Sequence, residues 1–158
     1  MAVETKTKED PTQRWVTFHL ATETYGIAVT QVREVLRLTE IAPVPGAPDY
    51  VLGIINLRGN VVTVMDARKR FRLPPTETTD SSRIVIIDVD GQEVGMLVDS
   101  VAEVVDIPQS QVEAAPNVGS EDASRFIQGV TSMDGKLLIL VDLNRLFNNE
   151  ELQDMTGF

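Results

Sequence analysis

Apolar and polar positions along the chain fall into short stretches of two rhythms. Residues 15–20 (WVTFHL) alternate, the period-two signature of a half-buried strand. After a turn at Glu23-Thr24, residues 25–29 continue extended, and residues 30–35 predict a short helical turn that Thr30 would cap by accepting a backbone N–H. Residues 38–44 form a further extended run, closed by Pro43, Pro45 and Pro48, which block helix continuation. The apolar runs 54–57 and 61–65 flank Arg58-Gly59-Asn60, and a glycine between two such runs predicts a hairpin. Residues 66–71 predict a short helix opened by Asp66, where the dipole favours negative charge.

Residues 74–82 (PPTETTDSS) lack apolar periodicity and read as a linker. Beyond it, 83–89 (RIVIIDV) is a predicted strand, and Asp90-Gly91 signals a turn before a second strand over 93–98. Ser100 and Glu103 stand at capping-box spacing, which predicts another helical turn. Residues 108–125 form a longer connection. Residues 137–141 (LLILV) are apolar throughout, as in a strand buried on both faces. A short helix is expected over 142–147, and a last one around Leu152.

These stretches repeat. Residues 25–36 (YGIAVTQVREVL) align with 94–105 (VGMLVDSVAEVV), so that Gly26/Gly95, Val32/Val101, Glu34/Glu103 and Val35/Val104 coincide. Residues 53–71 (GIINLRGNVVTVMDARKRF) align with 129–147 (GVTSMDGKLLILVDLNRLF), matching Gly53/Gly129, Gly59/Gly135, Asp66/Asp142 and Phe71/Phe147. Ordered blocks sharing glycines and an aspartate argue for duplication, and two copies are too few for a solenoid. Two similar small β modules packed together are expected.

Composition narrows the class. The chain has 158 residues, 42% of them hydrophobic, 24% charged and only 5% aromatic, so Val, Ile and Leu must fill the interior of a mainly β globular protein. A net charge of −10 disfavours both nucleic acid and an anionic membrane surface as partners. No run of 18 or more apolar residues occurs, the N-terminal segment lacks the apolar core of a signal peptide, and there is no cysteine; a cytoplasmic location is expected, without insertion into a membrane. Residues 1–12 read as a disordered tail.

Catalytic chemistry does not emerge. The single histidine, His19, lies within a strand and reads as solvent-facing or held in a polar contact. Neither a phosphate-cradling glycine loop nor a nucleophile elbow occurs. Asp88 and Asp90 flank a turn without the further ligands of a calcium loop, so a turn role is expected of them. The chain is read as a non-enzyme without cofactor or metal.

The copies differ most at their hairpin tips, where Asn56-Leu57-Arg58-Gly59 becomes Ser132-Met133-Asp134-Gly135. The turn keeps its glycine and does not require the arginine. Arg58 reads either as a solvated turn residue or as a planar fork of donors for a partner's carboxylate or carbonyls; arginine is favoured in interface hot spots.

The runs 18–36, 44–71 (VPGAPDYVLGIINLRGNVVTVMDARKRF), 94–104 and 129–147 together resemble the CheW-like domain of bacterial chemotaxis coupling proteins, over residues 13 to 152. The resemblance implies two intertwined, SH3-like five-stranded β-barrels around a shared core, with short helices. It gives the first barrel about 26–80 and the second about 13–25 plus 81–147, with strands exchanged and a tail over 148–158. It implies an adaptor that couples methyl-accepting chemoreceptors to the CheA histidine kinase and is recruited to membrane-associated receptor arrays. A CheW-like scaffold of another receptor–kinase pathway is the alternative. Val32, Gly53, Asn56, Leu57, Arg58 and Ile84 match positions contacting the receptor's cytoplasmic hairpin tip. Glu34, Val35, Ile41 and Val44 match the surface for the kinase regulatory domain, and Glu113 and Val118 a second kinase or ring contact.

Overall fold

In the computed structural model, which describes residues 10–114 and 126–147, ten strands form two five-stranded sheets. The strands are β1 (Thr12–Leu20), β2 (Glu23–Ala28), β3 (Val32–Arg37), β4 (Val51–Leu57), β5 (Asn60–Asp66), β6 (Arg83–Val89), β7 (Gln92–Val98), β8 (Ser100–Pro108), β9 (Ile127–Met133) and β10 (Lys136–Val141). Two four-residue helices, α1 (Ala67–Arg70) and α2 (Leu143–Leu146), follow β5 and β10. Each opens on its repeat-related aspartate: Asp66 accepts the Arg68 backbone N–H and Asp142 that of Asn144, both at 3.0 Å.

The sheet orders are β3-β6-β7-β5-β4 and β8-β1-β2-β10-β9. Each sheet therefore takes three strands from one copy of the repeat and a hairpin from the other. The sequence expectation sets 81–147 with the second barrel, whereas β6 and β7 complete the first sheet, and all of β2 lies in the second. The registers repeat as well as the orders. Gly95 pairs with Val64 where β5 and β7 run parallel, and Gly26 pairs with Leu140 at the matching junction of β10 and β2.

Two local expectations are corrected. Residues 30–35 are not a helical turn: a 3-10 turn over Val29–Gln31 leads straight into β3. The capping-box spacing at Ser100 lies in β8, the counterpart of β3. Val-rich alternation on a pleated surface outweighs a single capping signal.

Strand β6 buries residues of both faces, and β10 does so towards its end. In β6, Ile84 and Ile86 enter a small core with Ile55, Leu57, Val62 and Val64, while Val85, Ile87 and Val89 enter the main core. In β10, Leu138 and Leu140 pack with Trp15 and Ile107, while Val141 joins the main core. That main core draws on both sheets and both helices. Four of its five buried aromatics form one seam, Phe18, Tyr25, Phe71 and Phe126, with successive centroids 5.8, 5.1 and 4.8 Å apart. It is the shared core that the resemblance implies.

Candidate functional site

Three hairpin tips have the same backbone. Arg58-Gly59, Asp90-Gly91 and Asp134-Gly135 all have positive φ at both central residues, 51° and 87° in the first. This is the two-residue loop whose twist matches the strands, and it favours asparagine or aspartate before glycine. Aspartate fills the position in two tips and arginine in the third. A long side chain held left-handed is a local cost that the turn itself does not demand. The Asn56 side chain secures this tip by accepting the Gly59 N–H at 2.8 Å.

From that tip Arg58 reaches Glu34 on edge strand β3, donating one N–H at 3.2 Å and a second, shorter bond to the other carboxylate oxygen. The hydrogen bonds from the guanidinium hold Glu34 below the usual carboxylate range. Arg58 remains 68% exposed and Glu34 27%, so the pair is presented to solvent rather than sunk in the interior. Beside it, Arg33 pairs with Asp88, whose other oxygen accepts the Gly91 N–H and shapes its turn. Asp88 thus has the turn role expected of it, and no group of three or more potential metal ligands occurs among the described residues.

The other sequence-derived candidates divide by burial. Val35 is 40% exposed on β3, next to Glu34. Val32 is half-buried against the main core, and Ile41 against the small core of the first sheet. Val44 is half-buried too, in the proline-rich segment whose Ala42 bridges to Ile54. Glu113 is exposed and pairs its backbone with Val130, while Val118 lies outside the described residues.

Three candidates are buried. Ile84 is wholly buried and Leu57 nearly so, both inside the core of the first sheet, so little of either side chain is open to a partner in the free chain. Gly53 is buried because the Ala42 carbonyl lies against it: an added Cβ would stand 2.1 Å from that oxygen. Its requirement is backbone packing.

Two features escaped the sequence reading. The exposed large apolar residues include Val35 and Val61 in the first sheet and their repeat counterparts Val104 and Leu137 in the second. The resemblance places only Val35 at a surface, and the apolar run 137–141 predicts burial of Leu137, which is instead 50% exposed. The second is the pairing of Glu34 with Arg58, which joins two residues expected on separate surfaces.

Comparisons with known proteins agree with this architecture. The family model described as "CheW-like domain" matches residues 14–151. The chain is 36% identical over 153 residues to the chemotaxis protein CheW of Bacillus subtilis, covering 97% of this chain and 96% of that protein. It is 33% identical over 146 residues to the chemotaxis protein CheW of Treponema pallidum, covering 90% and 86%. The crystal structure of the scaffolding protein TtCheW from Thermoanaerobacter tengcongensis superposes with a TM-score of 0.81 at 35% identity, over 89% of this chain and 96% of that one. Proteins of this family are scaffolds rather than enzymes. A twice-used β unit with exchanged hairpins, matched along nearly its whole length by both sequence and structure, belongs to the CheW-like domain family.

Proposed function

We propose that the chain is an adaptor coupling methyl-accepting chemoreceptors to a CheA-type histidine kinase, at receptor arrays on the cytoplasmic side of the membrane. The observation that carries this reading is Arg58: an exposed guanidinium in a turn position that suits aspartate, oriented by Glu34, with exposed Val61 on the strand that leaves the turn. A charged fork beside apolar surface suits the side of a helical hairpin tip, which offers both carboxylates and apolar side chains. Val32 and Asn56 adjoin this corner, and the face of β3 that carries Val35, with Ile41 and Val44 beyond it, is the surface for the kinase regulatory domain. Glu113, and Val118 with it, belongs to a second kinase contact. No described helix is long and apolar enough to cross a membrane.

Because Arg58 and Glu34 hold each other, the receptor and kinase surfaces adjoin. Substituting either residue alters the presentation of its neighbour. Reconstitution tests the reading: kinase activity in the presence of receptor should become receptor-controlled only when this chain is added. Control that is equally strong without it would remove the proposal.

A further inference from the structure

The second sheet carries the same corner with its charges changed. By the repeat alignment, Glu34 corresponds to Glu103 and Arg58 to Asp134, while Ala102 stands where Arg33 stands in the first sheet. The β1–β2 hairpin corresponds to β6–β7, so Thr17 and His19 take the places of Ile86 and Asp88. In the first sheet two arginines lie across this corner, Arg33 on Asp88 and Arg58 on Glu34. In the second sheet neither arginine has a counterpart. A cleft of about 200 Å³ opens there, lined by Thr17, Glu103, Met133, Asp134, Leu137 and Leu138, and by His19 and Lys136 as well.

The polar groups of the cleft floor are already engaged. The Thr17 hydroxyl donates to the Glu103 carbonyl at 2.7 Å and accepts the Glu103 N–H at 3.0 Å, and His19 bonds Ser100 at 2.8 Å. Among the described residues, the carboxylates of Glu103 and Asp134 have no ion-pair or hydrogen-bond partner, and Lys136 makes no ion pair.

We propose that this cleft receives an arginine side chain from a partner protein, which supplies in trans the guanidinium that Arg58 supplies to the first sheet. The inference stands apart from the receptor reading, since it follows from the two corners alone. A planar fork of donors can engage two carboxylates at once. Met133, Leu137 and Leu138 give an apolar wall for its methylene stem, Leu137 being 50% exposed. A divalent cation is a poorer fit, because calcium takes about six to eight oxygen ligands and the described residues cluster no third acid there. Lys136, which lines the cleft without making an ion pair, is the competitor for the same carboxylates.

The test is a titration of the isotopically labelled full chain with acetyl-arginine-amide, followed by NMR, with the isosteric citrulline compound as the uncharged control. The arginine compound should shift the amides of Thr17, Glu103, Asp134 and Leu138 saturably, and the citrulline compound should not. Asp134→Arg should abolish the shifts by filling the cleft from within. Its backbone is compatible, since Arg58 holds φ 51° at the matching position, against 52° at Asp134. Glu103→Gln should weaken binding about threefold, as for an exposed charge pair, and Lys136→Gln should strengthen it. Equal shifts with citrulline, shifts centred elsewhere, unchanged binding in Asp134→Arg, or tighter binding of magnesium or calcium chloride at the same amides would each overturn the proposal.

Discussion

Arg58 and Asp134 occupy one turn position in two copies of the same unit, and their surroundings differ in one respect that matters. The first corner is closed by its own arginines; the second presents carboxylates around an open cleft. Strand order, register, the glycines at close approaches and the helix-opening aspartates are held in common, because both sheets need them to fold. Charge at the hairpin tips is not held in common, since the turn needs only a glycine and a residue tolerating positive φ. Duplication thus separates what folding requires from what recognition can vary.

The comparison breaks most severely at the paired glycines of β4 and β9. An added Cβ at Gly53 would meet the Ala42 carbonyl oxygen at 2.1 Å, backbone that cannot turn aside, and φ there is 151°. At Gly129 the nearest atom is a Val112 side-chain carbon at 2.6 Å, with the Glu113 carbonyl oxygen at 2.9 Å. Gly53→Ala should therefore cost about 3 kcal/mol or more, and Gly129→Ala about 1–2 kcal/mol, in the range for overpacking. Urea unfolding of both variants reads the difference. Equal losses would mean that the Ala42 segment yields as easily as a side chain.

Ile84 comes next. Its side chain is wholly buried, as is that of its counterpart Trp15 to within 2%. Ile84→Ala should cost about 3 kcal/mol through lost burial and a residual cavity, whereas Val35→Ala, at an exposed position, should leave stability nearly unchanged. If Ile84→Ala instead preserved the unfolding midpoint and weakened receptor capture, the residue would belong to the surface after all.

How far the sequence discloses this molecule follows from the kind of information it carries. Shared glycines and aspartates at matching offsets reveal the duplication, and alternation locates the strands, because both are written in single residues and their spacing. Alternation says which face a residue occupies but not which strand lies beside it. The exchange of β6–β7 for β1–β2 is therefore given only by the resemblance, which outlines it and misplaces its extent. Ile84 enters only through the resemblance, since in a strand buried on both faces no pattern in the sequence distinguishes core from rim. Thr30 points the wrong way, because a capping hydroxyl ahead of Val32, Val35 and Leu36 resembles the start of a helix. Those residues instead alternate along β3, with Val32, Glu34 and Leu36 on the half-buried face. Glu34 finds its partner Arg58 on another hairpin, a contact that local spacing does not encode.

A third contrast lies at the corner between β7 and β8. Arg68 of α1 donates to both carboxylate oxygens of Asp99, at 2.9 and 2.5 Å, and Asp99 also accepts the Ala21 N–H at 2.8 Å. The repeat counterparts are Asn144 and Thr30, which form no charge pair. The Arg68 hydrogen bonds hold Asp99 below its ordinary value, against the opposing effect of burial. With the folded pKa depressed, the stabilisation is complete above the unfolded pKa of about 3.9 and is lost as pH falls through the folded value. Asp99→Asn should cost about 1 kcal/mol near neutral pH, and its deficit against the parent chain should shrink as pH falls below about 4. A deficit constant with pH would show that the carboxylate's charge contributes nothing.

The smallest effect on folding bears most directly on function. Arg58→Asn places in the first tip a residue that accepts positive φ readily, as aspartate does at positions 90 and 134. It also removes an ion pair that is largely exposed, of the kind that contributes little to stability. These changes oppose each other, so the urea midpoint should stay where it is or rise slightly. Receptor capture should nonetheless fall, because the guanidinium is gone while the turn, the Asn56 bond to Gly59 and the neighbouring valines remain. A variant that unfolds earlier yet still captures receptor would make Arg58 a structural clasp for Glu34, and the two corners would then differ in packing rather than in recognition.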